Sequence, residues 1–214
     1  MRRALLAVLV LLAFSPSPAQ AVPSTVITVG TSIEFGVGLN PGESWPLRLD
    51  ARTSADVSDL SLGGGAYTAD SSSGDSLRKH VDQAIGQHPD VIVLGGPVND
   101  LVILSDVTPL RQAVFDAVAA IQAAGIRAVV VGIFPFNDGG AFPAGWWPTL
   151  ESRRTAYNSW AQAMYGTRYV DLTWCLHEST TWRGDARWFR DGLHPTRVGA
   201  ALTAECFPLE RLSP

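Results

Sequence analysis

The chain has 214 residues, of which 46% are hydrophobic and 17% are charged, and this composition indicates one ordinary globular domain. Its formal net charge of −4 and its scattered arginines argue against a protein that binds nucleic acid. His80 and His88 lack the spacing of metal ligands, to each other or to a cysteine, so we expect no metal site. No cofactor is expected either.

The first 21 residues have the pattern of a secretion signal. Met1-Arg2-Arg3 supplies positive charge, residues 4–14 form an apolar run too short to span a bilayer, and Ala19-Gln20-Ala21 matches a small-x-small cleavage site. We expect cleavage after Ala21, which leaves residues 22–214 as a single secreted, extracellular domain with no stable membrane insertion. An uncleaved membrane anchor is the alternative.

The chain has two cysteines, Cys175 and Cys206, which allow one intramolecular disulfide. An oxidising extracellular compartment would let that bond form. A disulfide between them would close a loop of about thirty residues, which would stabilise the fold by about 3 to 4 kcal/mol if the geometry permits. Two buried free thiols are the alternative, because the sequence does not give the distance between them.

Strand-like apolar runs alternate with amphipathic helical patterns along the chain. The predicted strands are 25–29, 57–62, 90–94, 128–134 and 168–172. The predicted helices are 41–52, one capped by Ser76, one capped by Thr108, 150–165 and one that begins at Pro195. Strands separated by such helices predict right-handed crossovers. We therefore expect a three-layer α/β/α sandwich with a mostly parallel sheet of about five strands.

The apolar spacing also predicts which helix faces are buried. In the helix 150–165, we expect the inward residues to be Tyr157, Trp160, Ala161 and Met164. In the last helix, we expect Val198, Ala201, Leu202 and Cys206 to lie on one side.

Ser32 follows the first predicted strand, in the glycine-bracketed run Gly30-Thr31-Ser32-Ile33-Glu34-Phe35-Gly36. Open parallel sheets bind ligands at the carboxyl ends of their strands, so a serine in this position is a candidate nucleophile if a base can reach it. An ordinary helix N-cap serine is the alternative. The glycines 63–65, Asn99 and the segment after the last strand also follow strands. We expect all four to gather at one edge of the sheet.

The segment after the last strand reads Arg190-Asp191-Gly192-Leu193-His194-Pro195. An aspartate three residues before a histidine can accept the imidazole Nδ1 proton, which leaves Nε2 free to act as a base. The N-terminus of the following helix would favour the neutral ring that a base requires. Alternatively, either residue caps that helix.

Together these residues resemble the SGNH or GDSL hydrolase family of esterases and lipases, whose fold is flavodoxin-like. The family's four short blocks match, in order, Gly30-Thr31-Ser32 through Gly36, Gly65 or its neighbour Gly64, Asn99-Asp100, and Asp191 to Pro195. The resemblance implies that Ser32 attacks an ester carbonyl, that His194 acts as base and then as acid, and that Asp191 orients His194. It also implies an oxyanion hole formed by the backbone N–H groups of Ser32 and Gly65 and the side-chain amide of Asn99.

This resemblance implies a serine esterase that uses an acyl-enzyme route with no metal or cofactor. With the signal pattern of residues 1–21, we expect this esterase to be secreted, and we expect it to be a monomer. Its substrate would be a small-molecule or polymer-linked ester, and a lipid, a short-chain ester and an acetylated polysaccharide all suit such a site. One alternative is a binding domain on the same fold that has lost activity. An acyltransferase with the same triad is another.

The sequence departs from the family pattern at two positions. Thr31 stands where the family has the aspartate before the nucleophile, and Pro97 stands where a glycine precedes the asparagine. Proline lacks the N–H donor and fixes φ, so it affects the placement of Asn99.

Two further features have competing interpretations. Gly74-Asp75-Ser76-Leu77 spells the tetrapeptide that gives the GDSL family its name, but it follows a polar run rather than a strand, so we expect Ser76 to be a helix cap. Trp146 and Trp147 lie in the long predicted loop 135–148, a length that is uncommon for a loop without a function. They could line an acyl or sugar pocket or simply pack beneath the loop.

Overall fold

The computed structural model describes residues 23–71, 74–137, 140–142, 145–177 and 183–213. The predicted signal segment, residues 1–21, lies outside the described residues. Five parallel strands form one sheet in the order β2-β1-β3-β4-β5. They are β1 (Thr25–Val29), β2 (Asp56–Asp59), β3 (Val91–Leu94), β4 (Arg127–Val131) and β5 (Tyr169–Val170).

The helices of the described residues cover both faces of the sheet. They are α1 (Ser32–Phe35), α2 (Trp45–Leu49), α3 (Leu77–Gly86), α4 (Val98–Ile103), α5 (Thr108–Ala123), α6 (Trp147–Tyr165), α7 (Thr173–Leu176) and α8 (Arg197–Cys206). Helix α5 packs between α3 and α6, while α8 packs between α2 and α7. The predicted three-layer α/β/α sandwich is confirmed. Within the described part of the chain, no helix is both long and apolar enough to cross a membrane.

The strand order places β1 between β2 and β3, so the chain leaves β1 on one side for β2 and later returns on the other for β3. All of β3 and most of β1 and β4 are buried, as expected for strands covered on both faces. A crevice opens outside the carboxyl ends of the strands where the order reverses in this way. Ser32 follows β1 at this point.

The predicted disulfide is present. Cys175 of α7 and Cys206 of α8 are bonded, with their Cα atoms 6.4 Å apart. The bond ties the last helix to the segment that follows β5.

The predicted inward faces of two helices need correction. On α6, the buried residues Tyr157, Ala161 and Tyr165 follow one another at four-residue steps against the core. Tyr165 therefore takes the buried position predicted for Met164, which is 47% exposed. Helix α8 begins at Arg197 rather than Pro195, because the Thr196 side chain accepts the Gly199 N–H at 3.1 Å and caps the helix there. Its buried residues are Gly199, Ala200, Thr203 and Ala204, while Val198 is 59% exposed.

Several element boundaries also differ from the prediction. Thr108 is the first residue of α5 rather than its cap, and α6 begins at Trp147, three residues earlier than expected. Strand β4 ends at Val131, whereas the buried apolar run continues to Phe134. Burial alone therefore does not mark the end of a strand.

Candidate active site

Ser32 is the first residue of α1, immediately after the turn that leaves β1. Thr31 is the N-cap of α1, and Gly36 ends the helix in the left-handed conformation, at φ 77°. The first N–H groups of a helix have no partner within the helix, so the Ser32 N–H is one of these unpaired donors. The local fold thus presents both the hydroxyl and the amide of Ser32 at the carboxyl end of the sheet.

His194 and Asp191 lie in the segment before α8, and the structure brings them to Ser32. The Oγ atom of Ser32 lies 2.9 Å from Nε2 of His194, and Nδ1 of His194 lies 2.7 Å from Oδ2 of Asp191. The other carboxyl oxygen, Oδ1, accepts the backbone N–H groups of Leu193 at 3.1 Å and His194 at 2.8 Å. The three side chains form a continuous hydrogen-bonded chain.

The surroundings of Asp191 keep its carboxyl group ionised. Partial burial opposes ionisation, but the hydrogen bonds from the His194 backbone, the His194 ring and the Leu193 backbone outweigh it and lower the pKa of Asp191. An ionised Asp191 fixes the tautomer with Nδ1 protonated. Nε2 is then free to accept a proton from Ser32.

The three glycines after β2 form a tight turn. The Gly65 N–H donates to the Leu62 carbonyl at 2.9 Å, and Gly64 has φ +74°, as the third residue of a type II turn requires. A Cβ atom at Gly64 would meet nothing within 4 Å. Gly64 therefore borders open space, whereas the Gly65 N–H is committed to the turn.

Asn99 lies in the first turn of α4, which begins directly after Pro97. Its side-chain Nδ2 donates to the Gly65 carbonyl at 2.9 Å. An amide nitrogen carries two hydrogens, so Asn99 can hold this carbonyl with one and offer the other to a ligand. Pro97 is the N-cap of α4 and does not prevent Asn99 from reaching the glycine turn.

Asp100 anchors α4 to the loop that follows the glycine turn. Its fully buried carboxyl group accepts the backbone N–H groups of Tyr67 and Thr68, each at 3.0 Å, and the Thr68 hydroxyl at 2.6 Å. This contact fixes the neighbouring Asn99 relative to the glycines. In the sequence, the position of Asp100 next to Asn99 was the one indication that Asp100 has this function.

A cavity of about 780 Å³ lies beside these groups. Its polar lining comes from Ser32, Asn99, Asp191 and His194, with Gly63 and Gly64 beside them. Its apolar wall consists of Val37, Val102, Ile103, Ala141, Phe142, Trp146 and Leu193. The predicted gathering of four segments at one sheet edge is therefore seen in the cavity lining.

The two neighbouring tryptophans have different surroundings. Trp146 lines the cavity, so its ring is available to a ligand. Trp147 instead donates its indole N–H to the Phe136 carbonyl at 3.1 Å and packs under the Arg183 guanidinium, 4.4 Å from its ring centroid. Trp147 therefore supports the loop.

Ser76 occupies the N-cap position of α3 as predicted, although its side chain makes no capping hydrogen bond. The nearby His80 uses Nε2 to bond Asp75 at 2.9 Å and Nδ1 to bond the Leu60 carbonyl. Both ring nitrogens are therefore already engaged, so His80 is not placed to act as a base for Ser76.

The profile of the GDSL-like lipase/acylhydrolase family matches residues 27–202. Among curated protein sequences, none matches this chain. The fold resembles several solved structures. A lipolytic protein of the G-D-S-L family from Desulfitobacterium hafniense DCB-2 has TM-score 0.69 and 17% identity, over 85% of this chain and 96% of that chain.

Two other solved structures are similar at the same level of identity. An acylhydrolase from Bacteroides fragilis NCTC 9343 has TM-score 0.66 and 16% identity, over 86% of this chain and 84% of that chain. The psychrotrophic esterase EstA from Pseudoalteromonas sp., inhibited by monoethylphosphonate, has TM-score 0.63 and 17% identity, over 85% of this chain and 93% of that chain. These likenesses show the shared fold. With the family profile covering most of its length, the chain belongs to the GDSL-like lipase/acylhydrolase family.

Proposed function

We propose that the protein is a secreted serine hydrolase that cleaves carboxylic esters through a Ser32–His194–Asp191 triad. The observation that carries this proposal is the hydrogen-bonded chain from Ser32 Oγ through His194 to Asp191, at 2.9 Å and 2.7 Å, beside an open cavity. A serine next to an oriented base is the arrangement that nucleophilic catalysis requires.

In the proposed reaction, His194 Nε2 takes the Ser32 hydroxyl proton as Oγ forms a bond to the ester carbonyl carbon. The resulting imidazolium gives this proton to the leaving alcohol oxygen as the carbon–oxygen bond breaks, and an acyl-enzyme remains. Water then attacks the acyl carbon while His194 takes a proton from it. This attack forms a tetrahedral intermediate. Its collapse breaks the bond to Ser32 Oγ and releases the carboxylic acid, and His194 returns the proton to Ser32.

The oxyanion that forms in each half of the reaction needs donors beside Ser32. The Ser32 N–H and the free hydrogen of the Asn99 amide suit this role. The sequence favoured the Gly65 N–H as the third donor, but that group is bonded to the Leu62 carbonyl. We assign Gly64 instead, because it lines the cavity, and Gly65 then serves to hold Asn99 through its carbonyl.

The apolar wall of the cavity suits the acyl part of an ester. Phe142 and Trp146 supply aromatic surface, and Val102 and Ile103 of α4 supply aliphatic surface. Two of the similar structures are described as an esterase and an acylhydrolase. Secretion is proposed from the signal pattern of residues 1–21, and the Cys175–Cys206 disulfide is compatible with it.

The test is labelling of the purified protein with a serine-reactive fluorophosphonate, followed by peptide mapping. We expect the label on Ser32, no label on Ser32→Ala, and normal labelling of Ser76→Ala, with circular dichroism to verify folding. Hydrolysis of p-nitrophenyl esters should show the same pattern. Folded protein that takes no label would favour a binding domain over an enzyme.

A further inference from the structure

Glu34 is fully buried beneath the Ser32 turn, and the reaction described above gives it no function. It lies on α1 two residues after Ser32, and its exposed fraction is 0%. Glutamate is rarely buried completely unless it is paired. Its position in the fold therefore requires an explanation.

One oxygen of the Glu34 carboxyl group binds the residue before the nucleophile. Oε2 accepts the Thr31 backbone N–H at 2.8 Å and the Thr31 hydroxyl at 3.1 Å. The Thr31 side chain in turn accepts the N–H of Ile33 at 3.4 Å, which completes a capping box. The carboxyl group thus holds Thr31 directly, and through the Thr31 hydroxyl it is linked to Ile33 on the other side of Ser32.

Two glycines leave room for this carboxyl group. Gly30 follows β1 and Gly95 follows β3, and neither has the positive φ that would itself favour glycine. A Cβ atom at Gly30 would overlap the Glu34 side chain, and one at Gly95 would lie 2.7 Å from Oε1. The carboxyl ends of two neighbouring strands are therefore shaped to accept Glu34.

The charge of Glu34 is sensitive to pH in the neutral range. Burial, together with the charge of the Asp59 carboxylate at the end of β2, raises the pKa of Glu34 to about 7, although the hydrogen bonds from Thr31 act in the opposite direction. Oε1 has no hydrogen-bond partner among the described residues. The Glu34 charge also acts on Tyr67: burial, together with the charges of Asp100 and Glu34, raises the pKa of Tyr67 well above its usual value, so this side chain stays neutral.

We propose that Glu34 is a positioning residue whose carboxylate holds the Ser32 turn in its reactive geometry, and that protonation of this carboxylate lowers the reactivity of Ser32. An ionised carboxylate accepts charge-assisted hydrogen bonds, which are roughly twice as strong as those to a neutral acid. Protonation therefore weakens both bonds from Thr31. The turn that presents the Ser32 hydroxyl and N–H is then held less firmly.

The proposal rests on the proposed function, because it is measured through Ser32. The experiment is the pH dependence of two rates, in wild type and Glu34→Gln: inactivation by a fluorophosphonate, and kcat/KM for p-nitrophenyl butyrate read at the isosbestic point of the nitrophenol. Gln is isosteric, and its carbonyl oxygen can still accept the Thr31 N–H. The variant should therefore fold while losing the titration at residue 34.

We expect both rates to fall as the pH is lowered, and we expect this fall, the acid limb of the pH profile, to involve one ionisation fewer in Glu34→Gln than in wild type. A group with a pKa of about 7 changes its ionised fraction about tenfold from pH 8 to pH 6, so the wild-type rates should fall up to about tenfold more than those of the variant. The triad residues are the same in both proteins, so the comparison isolates the change at residue 34. Infrared difference spectra over the same range should contain a carboxylic-acid band that Glu34→Gln lacks.

Asp59→Asn is the matched control, because burial also raises the pKa of Asp59, to about 6, and its oxygen bonds Ser61 rather than the Ser32 turn. This variant should keep the pH dependence that comes from Glu34, moved to lower pH because the Asp59 charge that raises the pKa of Glu34 is gone. Parallel acid limbs for wild type and Glu34→Gln, with rates lowered equally at every pH, would overturn the proposal. Activity that survives Ser32→Ala would instead refute the proposed function.

Discussion

Asp191 holds His194 at two points, with Oδ2 2.7 Å from the ring Nδ1 and Oδ1 2.8 Å from the backbone nitrogen of the same residue. One carboxyl group therefore fixes both the tautomer of the ring and the backbone that carries it. This double contact explains how a short turn without regular secondary structure can hold an imidazole within hydrogen-bond distance of Ser32.

Asp191→Asn should lower kcat by about 10²- to 10⁴-fold with little effect on folding. The amide nitrogen would donate to Nδ1 and place the ring proton on Nε2, so His194 could no longer accept the Ser32 proton. Asp185→Asn is the control, because Asp185 lies in the same segment but pairs with Arg187. Ester hydrolysis by Asp191→Asn within tenfold of wild type would contradict the assignment of the triad.

Gly64→Ala should reduce ester turnover more than its effect on stability explains. Gly74 provides a matched comparison, because its φ of +75° equals that of Gly64 within one degree and a Cβ at either position meets nothing within 4 Å. Both substitutions should cost about 1 kcal/mol of stability through backbone strain. Only the Gly64 change disturbs the proposed oxyanion donor, so equal kcat values for the two variants would refute that assignment.

Removing the Cys175–Cys206 bond should lower the free energy of unfolding by about 2 to 4 kcal/mol. The double variant Cys175→Ser with Cys206→Ser should melt at a lower temperature than wild type, and reductant should lower the wild-type melting temperature but not that of the variant. Turnover below the melting transition should persist, since neither cysteine lines the cavity. An unchanged melting temperature would mean that the bond contributes nothing.

Trp146→Ala should reduce kcat/KM for long-chain p-nitrophenyl esters more than for the acetate. The Trp146 ring forms part of the apolar wall, and burying each further methylene against it is worth about 0.8 kcal/mol. Phe115→Ala is the control, because Phe115 is a similarly exposed aromatic residue on α5 that does not line this cavity. Equal losses for all chain lengths would argue against acyl binding at this wall.

The sequence predicted the sheet and the positions of Ser32, Asn99 and His194 because both depend on local patterns. A buried β-branched run marks a strand, and the carboxyl ends of parallel strands meet at one edge. The buried faces of α6 and α8 were harder to predict, because packing against the neighbouring elements decides which apolar residues of a helix are buried, and the exposed Val198 of α8 illustrates this.

Glu34 and the glycine donor could not have been assigned from the sequence. A glutamate in the run after Ser32 reads as an exposed helix residue, and only the packed ends of β1 and β3 reveal that Gly30 and Gly95 make space for it. Similarly, the sequence alone does not distinguish Gly64 from Gly65 as the backbone donor. They differ only once the hydrogen bond from the Gly65 N–H to Leu62 is known.

Glu34→Gln should also change how stability depends on pH. The folded-state pKa of Glu34 is raised from its usual 4.5 to about 7, so between these values the folded state binds a proton that the unfolded state has lost. Wild-type stability therefore falls as pH rises through this window, by up to about 3 kcal/mol from this group. Because Gln does not titrate, the variant should gain stability relative to wild type from about pH 5 to about pH 8.

Urea unfolding of both proteins at several pH values gives this difference directly. Asp90→Asn is a useful comparison, because hydrogen bonds from Ser24 and Thr25 lower the pKa of Asp90, so the stability that it provides is present above its ordinary pKa and is lost only at more acidic pH. Its effect should stay constant from about pH 5 to about pH 8. A constant difference for Glu34→Gln as well would mean that Glu34 does not take up a proton in the folded protein, and the pH-dependent part of its positioning function would then fail.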